Sequence, residues 1–355
     1  MDDPDSTSHR RARAPLVLGA AALIAVALLV SVGALVWRGQ HPPADPAGPH
    51  AGALPSPVAP ATFTGIFIEP GDGRAPLLDE IAAAERSIDL EIYIVTDEII
   101  LEALEEAQQR GVAVRVILEE HPFGGEGGQP ETFARLEQAG IAVRWGNPAF
   151  RFSHIKMMVV DDAVAIVMNQ NLTASAFTGN REFGAITNRP DVVHTAAAIF
   201  AADWTGGAEP DPAPLVVSPT NAREELLALV RGAESSLDLY AEVLRDPEML
   251  AALAAAEERG VQVRVIISPS PDFSDERAKL TAAGVEIRLL RSLYVHAKLI
   301  IADGEQAYLG SQNLSATSLD QNREVGIIVD DPISLARLAR TFELDFRVAT
   351  PGAMP

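Results

Sequence analysis

The chain carries one pattern of chemically demanding residues twice, at a constant separation. His154, Lys156, Asp161, Asn171 and Glu182 recur 142 positions later as His296, Lys298, Asp303, Asn313 and Glu324. The duplication extends well beyond these residues. AQQRGVAVRVIL, residues 107–118, returns as AEERGVQVRVII, residues 256–267, at an offset of 149 that falls to 144 at Gly140 and Gly284. Longer loops in the first copy, including HPFGGEGG at 121–128, account for the change. A period this long marks a duplicated domain rather than a solenoid of short repeats. Whatever the first half folds into, the second must fold into as well.

Each half alternates helix and strand. Residues 74–85 and 98–110 have helical periodicity, 87–95 and 112–118 read as strands, and Gly111 is placed to end the second helix. A helix over 130–139, a strand over 141–145 and a helix over 190–204 complete the first half. The alternation predicts an α/β layer architecture. Each motif opens an apolar, β-branched run, where a spacing of two sends His296 and Lys298 to one face and Ala297 and Leu299 to the other. A histidine beside a lysine on one face requires an anion between them, and phosphate is the obvious candidate. Asp161 and Asp303 close their strands just before a turn, where a structural role is as well supported as a chemical one.

Composition narrows the chemistry. There is no cysteine, which excludes disulfides, thiolate zinc sites and cysteine nucleophiles. The net charge is −21 and lysine occurs only at positions 156, 279 and 298, so two of the three lysines lie in the repeated motif. An acidic chain repels polyanions at long range, which makes nucleic acid a poor partner and a small or interfacial phosphate a better one. No metal-ligand cluster stands out, and no cofactor is expected. His121 belongs to an exposed glycine-rich loop.

The N-terminal region has its own logic. Residues 1–14 are polar and 15–37 are apolar without a charge, about the 20 residues that cross a bilayer as a helix. Arg10, Arg11 and Arg13 on one side against Arg38 on the other place the N-terminus in the cytoplasm and the catalytic part outside it. This reads as a single-pass signal anchor. The alternative is a secreted protein after signal cleavage, although the apolar run exceeds the usual core of about 7–15 residues and no A-x-A site follows. Residues 38–62 form a proline-rich, semi-rigid spacer. The folded domains are expected at 63–212 and 213–350, with a proline- and glycine-rich boundary at 206–214.

With its two H-x-K-x4-D motifs, the chain resembles the phospholipase D superfamily, over nearly all of residues 63–347. The second copy matches the family pattern at His296, Lys298, Asp303, Gly310, Ser311, Asn313 and Glu324. The first matches at His154, Lys156, Asp161, Asn171 and Glu182 but has Met168-Asn169 where the family has Gly-Ser. Asn169 is able to replace the serine's hydrogen bonds, and the departure bears on substrate preference more than on activity. The resemblance implies a duplicated phospholipase D-like domain: two mixed β-sheets flanked by helices around a pseudo-twofold axis, with one active site at the interface. A single chain would then be the active unit.

The roles follow from the same resemblance together with the demands of phosphodiester cleavage, which needs a nucleophile, an acid and positive charge. His154 is expected to attack phosphorus, by family analogy, and His296 to protonate the leaving oxygen. The catalytic set is completed by Lys156, Lys298, Asp161 and Asp303. Lys156, Lys298, Asn171 and Asn313 would hold the phosphoryl oxygens, and Glu182 and Glu324 would each orient a histidine. Tyr294, Phe150 and Phe152 precede the motif strands, where they would either line an acyl or head-group cleft or serve as core or rim packing. The leading expectation is a phospholipase D hydrolysing glycerophospholipids to phosphatidic acid through a phosphohistidine. The alternatives are a cardiolipin synthase-like phosphatidyltransferase, a nuclease of the superfamily, and a binding module without activity.

Overall fold

In the computed structural model the described residues are 62, 64–124, 128–270 and 274–352. The expected N-terminal tail, membrane anchor and nearly all of the spacer lie outside them. Among the described residues no helix is long and apolar enough to cross a membrane.

The first half opens with β1 (Thr64–Glu69), α1 (Ala75–Ala83), β2 (Ser87–Ile92) and α2 (Glu98–Gln109). It continues with β3 (Ala113–Leu118), α3 (Gln129–Gln138), β4 (Ala142–Trp145), β5 (Lys156–Val160) and β6 (Val164–Met168). It ends with α4 (Ala174–Thr178), β7 (Asn180–Thr187) and α5 (Pro190–Thr205). The second half repeats this order as β8 (Leu215–Ser218), α6 (Ala222–Gly232), β9 (Ser236–Ala241), α7 (Pro247–Glu258), β10 (Gln262–Ile267), α8 (Ser274–Ala282) and β11 (Glu286–Leu289). Then come β12 (Tyr294–Val295), β13 (Lys298–Ala302), β14 (Gln306–Gly310), α9 (Ala316–Asp320), β15 (Glu324–Val329), α10 (Pro332–Val348) and β16 (Thr350–Pro351).

Each half builds a mixed sheet. The first has the order β1-β7-β6-β5-β2-β3-β4 and the second β8-β15-β14-β13-β9-β10-β11, with β16 added at the far edge. In both, the three strands of the βαβ units run parallel and the motif hairpin pairs antiparallel to them. Ion pairs are duplicated with the fold. Arg74–Asp97 returns as Arg223–Asp246, and Arg115–Asp89 as Arg264–Asp238. Asp97 and Asp246 also cap α2 and α7 through backbone N–H groups of the first turn. Gly111 and Gly260 take positive φ just past those helices, a conformation that costs a residue without Cβ little.

Alternation along the motif strands positions the site. In β5, Met157 and Val159 face a core shared by the two sheets, while Met158 and Val160 face the first half's own core. In β13, Leu299 and Ile301 face the shared core, and Ile300 and Ala302 the second half's own. Lys156 and Lys298 have the second parity, so the shared core stays apolar right up to the motifs. One expectation needs correcting: the strand read over 87–95 stops at Ile92. Beyond it the chain turns into the site, with Tyr93 N–H donating to the Ile155 carbonyl and Val95 bridging to Leu172.

Candidate active site

The sheets meet by a reciprocal exchange at their edges. Val295, just before His296, pairs in parallel with Arg181, just before Glu182. Ser153, just before His154, bridges in parallel to Arg323, just before Glu324. Each histidine is therefore delivered to the glutamate of the opposite half. His154 Nδ1 lies 2.9 Å from Glu324 Oε2, and His296 Nδ1 lies 2.9 Å from Glu182 Oε2. Both glutamates are fully buried.

Each lysine folds back onto the carbonyl of its own histidine, Lys156 Nζ at 3.0 Å from His154 O and Lys298 Nζ at 2.6 Å from His296 O. Lys298 also donates to Glu242 Oε2 at 2.6 Å. Lys156 has no such partner among the described residues; its ammonium sits 4.8 Å from the centre of the Tyr93 ring. Burial, with Lys298 nearby adding repulsion, lowers the Lys156 pKa to about 7. Burial also lowers that of His154, to about 4, against the opposing pull of Glu324. At neutral pH His154 is a neutral imidazole whose Nδ1–H points at Glu324, leaving the Nε2 lone pair free.

The glutamates differ in support. Glu324 Oε1 accepts from Ser318 Oγ at 2.5 Å and Asn322 Nδ2 at 2.8 Å. Glu182 Oε1 accepts from Asn180 Nδ2 at 3.0 Å, and the position matching Ser318 is Ala176. Across the β1–β7 pairing, Glu182 faces Glu69, where Glu324 faces Ser218. Burial raises the Glu69 carboxyl to about 7, and Asp72 and Glu182 push the same way.

The expected site residues divide into two groups. His154, Lys156, Glu182, His296, Lys298 and Glu324 come together at the interface. Asn171 and Asn313 follow β6 and β14 at the same ends of the sheets, and the Oδ1 of each is buried without a hydrogen-bond partner. Asp161 and Asp303 do not join them. A five-residue strand, roughly 16 Å at the usual rise, separates each from its lysine. Asp161 accepts from the backbone N–H groups of Glu85, Arg86 and Ser87, and Asp303 from those of Glu234, Ser235 and Ser236. Burial works to raise the Asp303 pKa, but these bonds prevail and hold it at about 2. Their place in the motif is structural: each ties its strand's turn to the start of the neighbouring strand.

Met168 and Asn169 are likewise clarified. A Cβ on Gly310 would lie 2.4 Å from Gly326 Cα and 2.6 Å from Tyr308 Oη. In the first half Ile166 stands where Tyr308 does, and Met168 is fully buried in that half's own core. Its side chain is accommodated there by packing. Asn169 Oδ1 accepts from Phe183 N at 2.6 Å, the bond that Ser311 Oγ takes from Val325 N. Its Nδ2 then crosses the interface to the carbonyls of Gly310 at 3.0 Å and Lys298 at 3.2 Å.

Sequence reasoning missed Tyr93 and Glu242. They occupy equivalent positions just past the ends of β2 and β9, in a stretch where the two copies diverge (Glu91-Ile92-Tyr93 against Tyr240-Ala241-Glu242), so the repeat gave no signal for them. Tyr93 packs edge-on against His154 with ring centres 4.4 Å apart and against Phe152 at 6.0 Å. Glu242 Oε1 accepts from Tyr294 Oη at 3.1 Å, and its Oε2 lies 3.7 Å from His296 Nε2. A groove of about 410 Å³ runs past Phe150, Phe152, Phe123 and the exposed His121.

Two half-sites, each with a carboxylate-held histidine and a buried lysine, thus meet where the two sheets join. Residues 77–204 and 226–346 match the family described as cardiolipin synthase, PLD-like domain. The chain belongs to the phospholipase D superfamily. It is 27% identical to a cardiolipin synthase of Geobacillus kaustophilus over 347 residues, covering 83% of this chain and 68% of that protein. Among solved structures, phosphatidylserine synthase of Haemophilus influenzae shares the fold with a TM-score of 0.61 at 13% identity, over 81% of this chain and 87% of the other. Polyphosphate kinase of Porphyromonas gingivalis does so at 0.63 and 20% identity, over 81% of this chain and about half (51%) of its own.

Proposed function

We propose that the protein is a phosphatidyltransferase of the cardiolipin synthase type, which moves a phosphatidyl group from one glycerophospholipid to the hydroxyl of another. The observation that carries the reading is the match of both halves to the cardiolipin synthase family, on a site whose two histidines are held from opposite halves. Curated relatives named cardiolipin synthase favour transfer over the hydrolysis expected from the motifs alone.

The chemistry balances without a further reactant. His154 Nε2 bonds to phosphorus while the P–O bond to the leaving alcohol breaks, and the electron pair goes to oxygen, which takes a proton from His296. The acceptor hydroxyl then gives its proton to His296 and bonds to phosphorus, and the N–P electron pair returns to His154. Lys156, Lys298, Asn171 and Asn313 hold the phosphoryl oxygens throughout, and Glu324 and Glu182 keep each imidazole in register. Water reaching the same intermediate would give phosphatidic acid. Residues 15–37 hold the enzyme at the lipid surface, and a single chain suffices because it contains both motifs.

The test uses the full chain in vesicles of phosphatidylglycerol, beside His154→Ala and His296→Ala. Cardiolipin and free glycerol, absent in both variants, are the expected products. Phosphatidic acid alone would replace transfer by hydrolysis, and turnover surviving in either variant would overturn the shared site.

A further inference from the structure

The two halves are equivalent in fold but not in charge, and the difference centres on a residue outside the motifs. His154 and His296 are equally exposed, at 11% and 12% of their side chains. Their neighbours are what separate them. His154 has one carboxylate, Glu324 on Nδ1, and a tyrosine ring against its face. His296 has an acceptor at each nitrogen: Glu182 on Nδ1 at 2.9 Å and Glu242 3.7 Å from Nε2. Only His296 is placed so that both ring nitrogens face anions. The lining follows the same division. Tyr93 and Phe152 form an aromatic wall on the first side, whereas the equivalent pair, Glu242 and Tyr294, is joined by a hydrogen bond on the second.

Resting on the transfer reading above, we infer that Glu242 is the positioning residue that gives the site a direction, holding the transferable proton on His296 and leaving His154 to bond to phosphorus. The groups that face Glu242 are Lys298 from β13, His296 from the link between β12 and β13, Tyr294 from β12 and His154 from the first half. Lys156 is near enough to act on it electrostatically. Burial works to raise the Glu242 carboxyl, but His296 and Lys298 outweigh it and hold it well below the usual range, so it stays ionised through the working pH range. Glu182 has the single side-chain donor Asn180 on its Oε1 among the described residues, while Ser318 and Asn322 both donate to Glu324 on the other side. The direction of catalysis is thus written by a Tyr-to-Glu difference between duplicated strand ends.

The experiment compares two leaving groups in the full chain. Phosphatidylglycerol releases an alkoxide that needs a proton, whereas bis(p-nitrophenyl) phosphate releases p-nitrophenolate, which does not. Glu242→Gln is expected to lower kcat/KM for phosphatidylglycerol at least about tenfold more than for the nitrophenyl ester, and to move the alkaline limb of the lipid profile to lower pH. Glu242→Asp should recover part of the loss. With the nitrophenyl ester, His296→Ala should accumulate phosphorylated protein and His154→Ala should not. Equal losses on both substrates with an unmoved profile would overturn the inference, as would phosphorylated protein in His154→Ala alone. A wild type that cleaves the nitrophenyl ester but no lipid would remove the lipid reading; the acid limb of nitrophenyl turnover, where His296 must take a proton from the attacking water, should still move to lower pH in Glu242→Gln, and an unmoved limb would overturn the role of Glu242.

Discussion

Glu324 holds Nδ1 of His154 from the other half of the molecule, at 2.9 Å, and Glu182 does the same for His296. The crossing is a backbone property before it is a side-chain one. His154 N–H donates to the Arg323 carbonyl and Arg323 N–H to the Phe152 carbonyl, so the strand ends carrying histidine and glutamate are stitched together directly. Buried ion pairs reinforce the stitch in duplicate, Arg323–Asp203 on one side and Arg181–Asp345 on the other. Neither half supplies the Nδ1 carboxylate of its own histidine.

Removing one glutamate should therefore disarm the histidine of the opposite half. In Glu324→Ala the imidazole Nδ1 proton resonance of His154 should vanish while that of His296 persists, and Glu182→Ala should give the reverse. Turnover should fall by about 10²–10⁴-fold, the usual range for a general acid–base group. Loss of the resonance within the same half would refute the crossed arrangement.

Lys156 makes anion binding depend on pH near neutrality. Its ammonium is disfavoured by burial, with a pKa of about 7, and a bound anion favours the charged form. Binding at pH 8 must then take up a proton, and at pH 6 it need not. Calorimetry with sulfate, which does not titrate in this range, should show uptake approaching one proton at pH 8 and affinity weakening as pH rises past 7. Lys156→Met should abolish the uptake; a wild type without it would contradict the assignment.

Asp303 should matter for stability rather than turnover. Asp303→Asn should cost roughly 1–3 kcal/mol, the range for weakening hydrogen bonds to a charged acceptor, with kcat per folded molecule unchanged. Because its folded pKa lies below the unfolded value, the wild-type advantage is full above about pH 4 and disappears as pH falls through about 2. Denaturant titrations from pH 7 downward measure it. A fall in kcat without a fall in stability would return Asp303 to the chemistry.

Asn169 should behave as a clamp between the halves. Asn169→Ala leaves the buried Phe183 N–H unpaired, at a cost of about 1–3 kcal/mol, and loses the two bonds across the interface. Asn169→Ser restores the first bond, as Ser311 does in its own half, but not the crossing pair. Unfolding midpoints should therefore rank wild type above Ser and Ser above Ala. Equal midpoints for Ser and wild type would show that the crossing bonds contribute nothing.

The sequence by itself determined a good deal. A constant offset across five chemically unlike residues is enough to establish two equivalent sheets, a histidine–lysine face on each motif strand and an acidic partner for each histidine. Local rules account for these, since strand parity, helix caps and turn residues act within a few positions. Which glutamate serves which histidine was not legible, because self-pairing and crossed pairing preserve the same spacing. Only the edge exchange at Ser153–Arg323 and Val295–Arg181 chooses between them. The same holds for Tyr93 and Glu242, which share no motif with the histidines and reach them only because β2 and β9 end beside β5 and β13. Sequence repeats specify equivalent halves; the burial of two unlike side chains against the same pocket is what makes those halves unequal, and that is decided by packing in three dimensions.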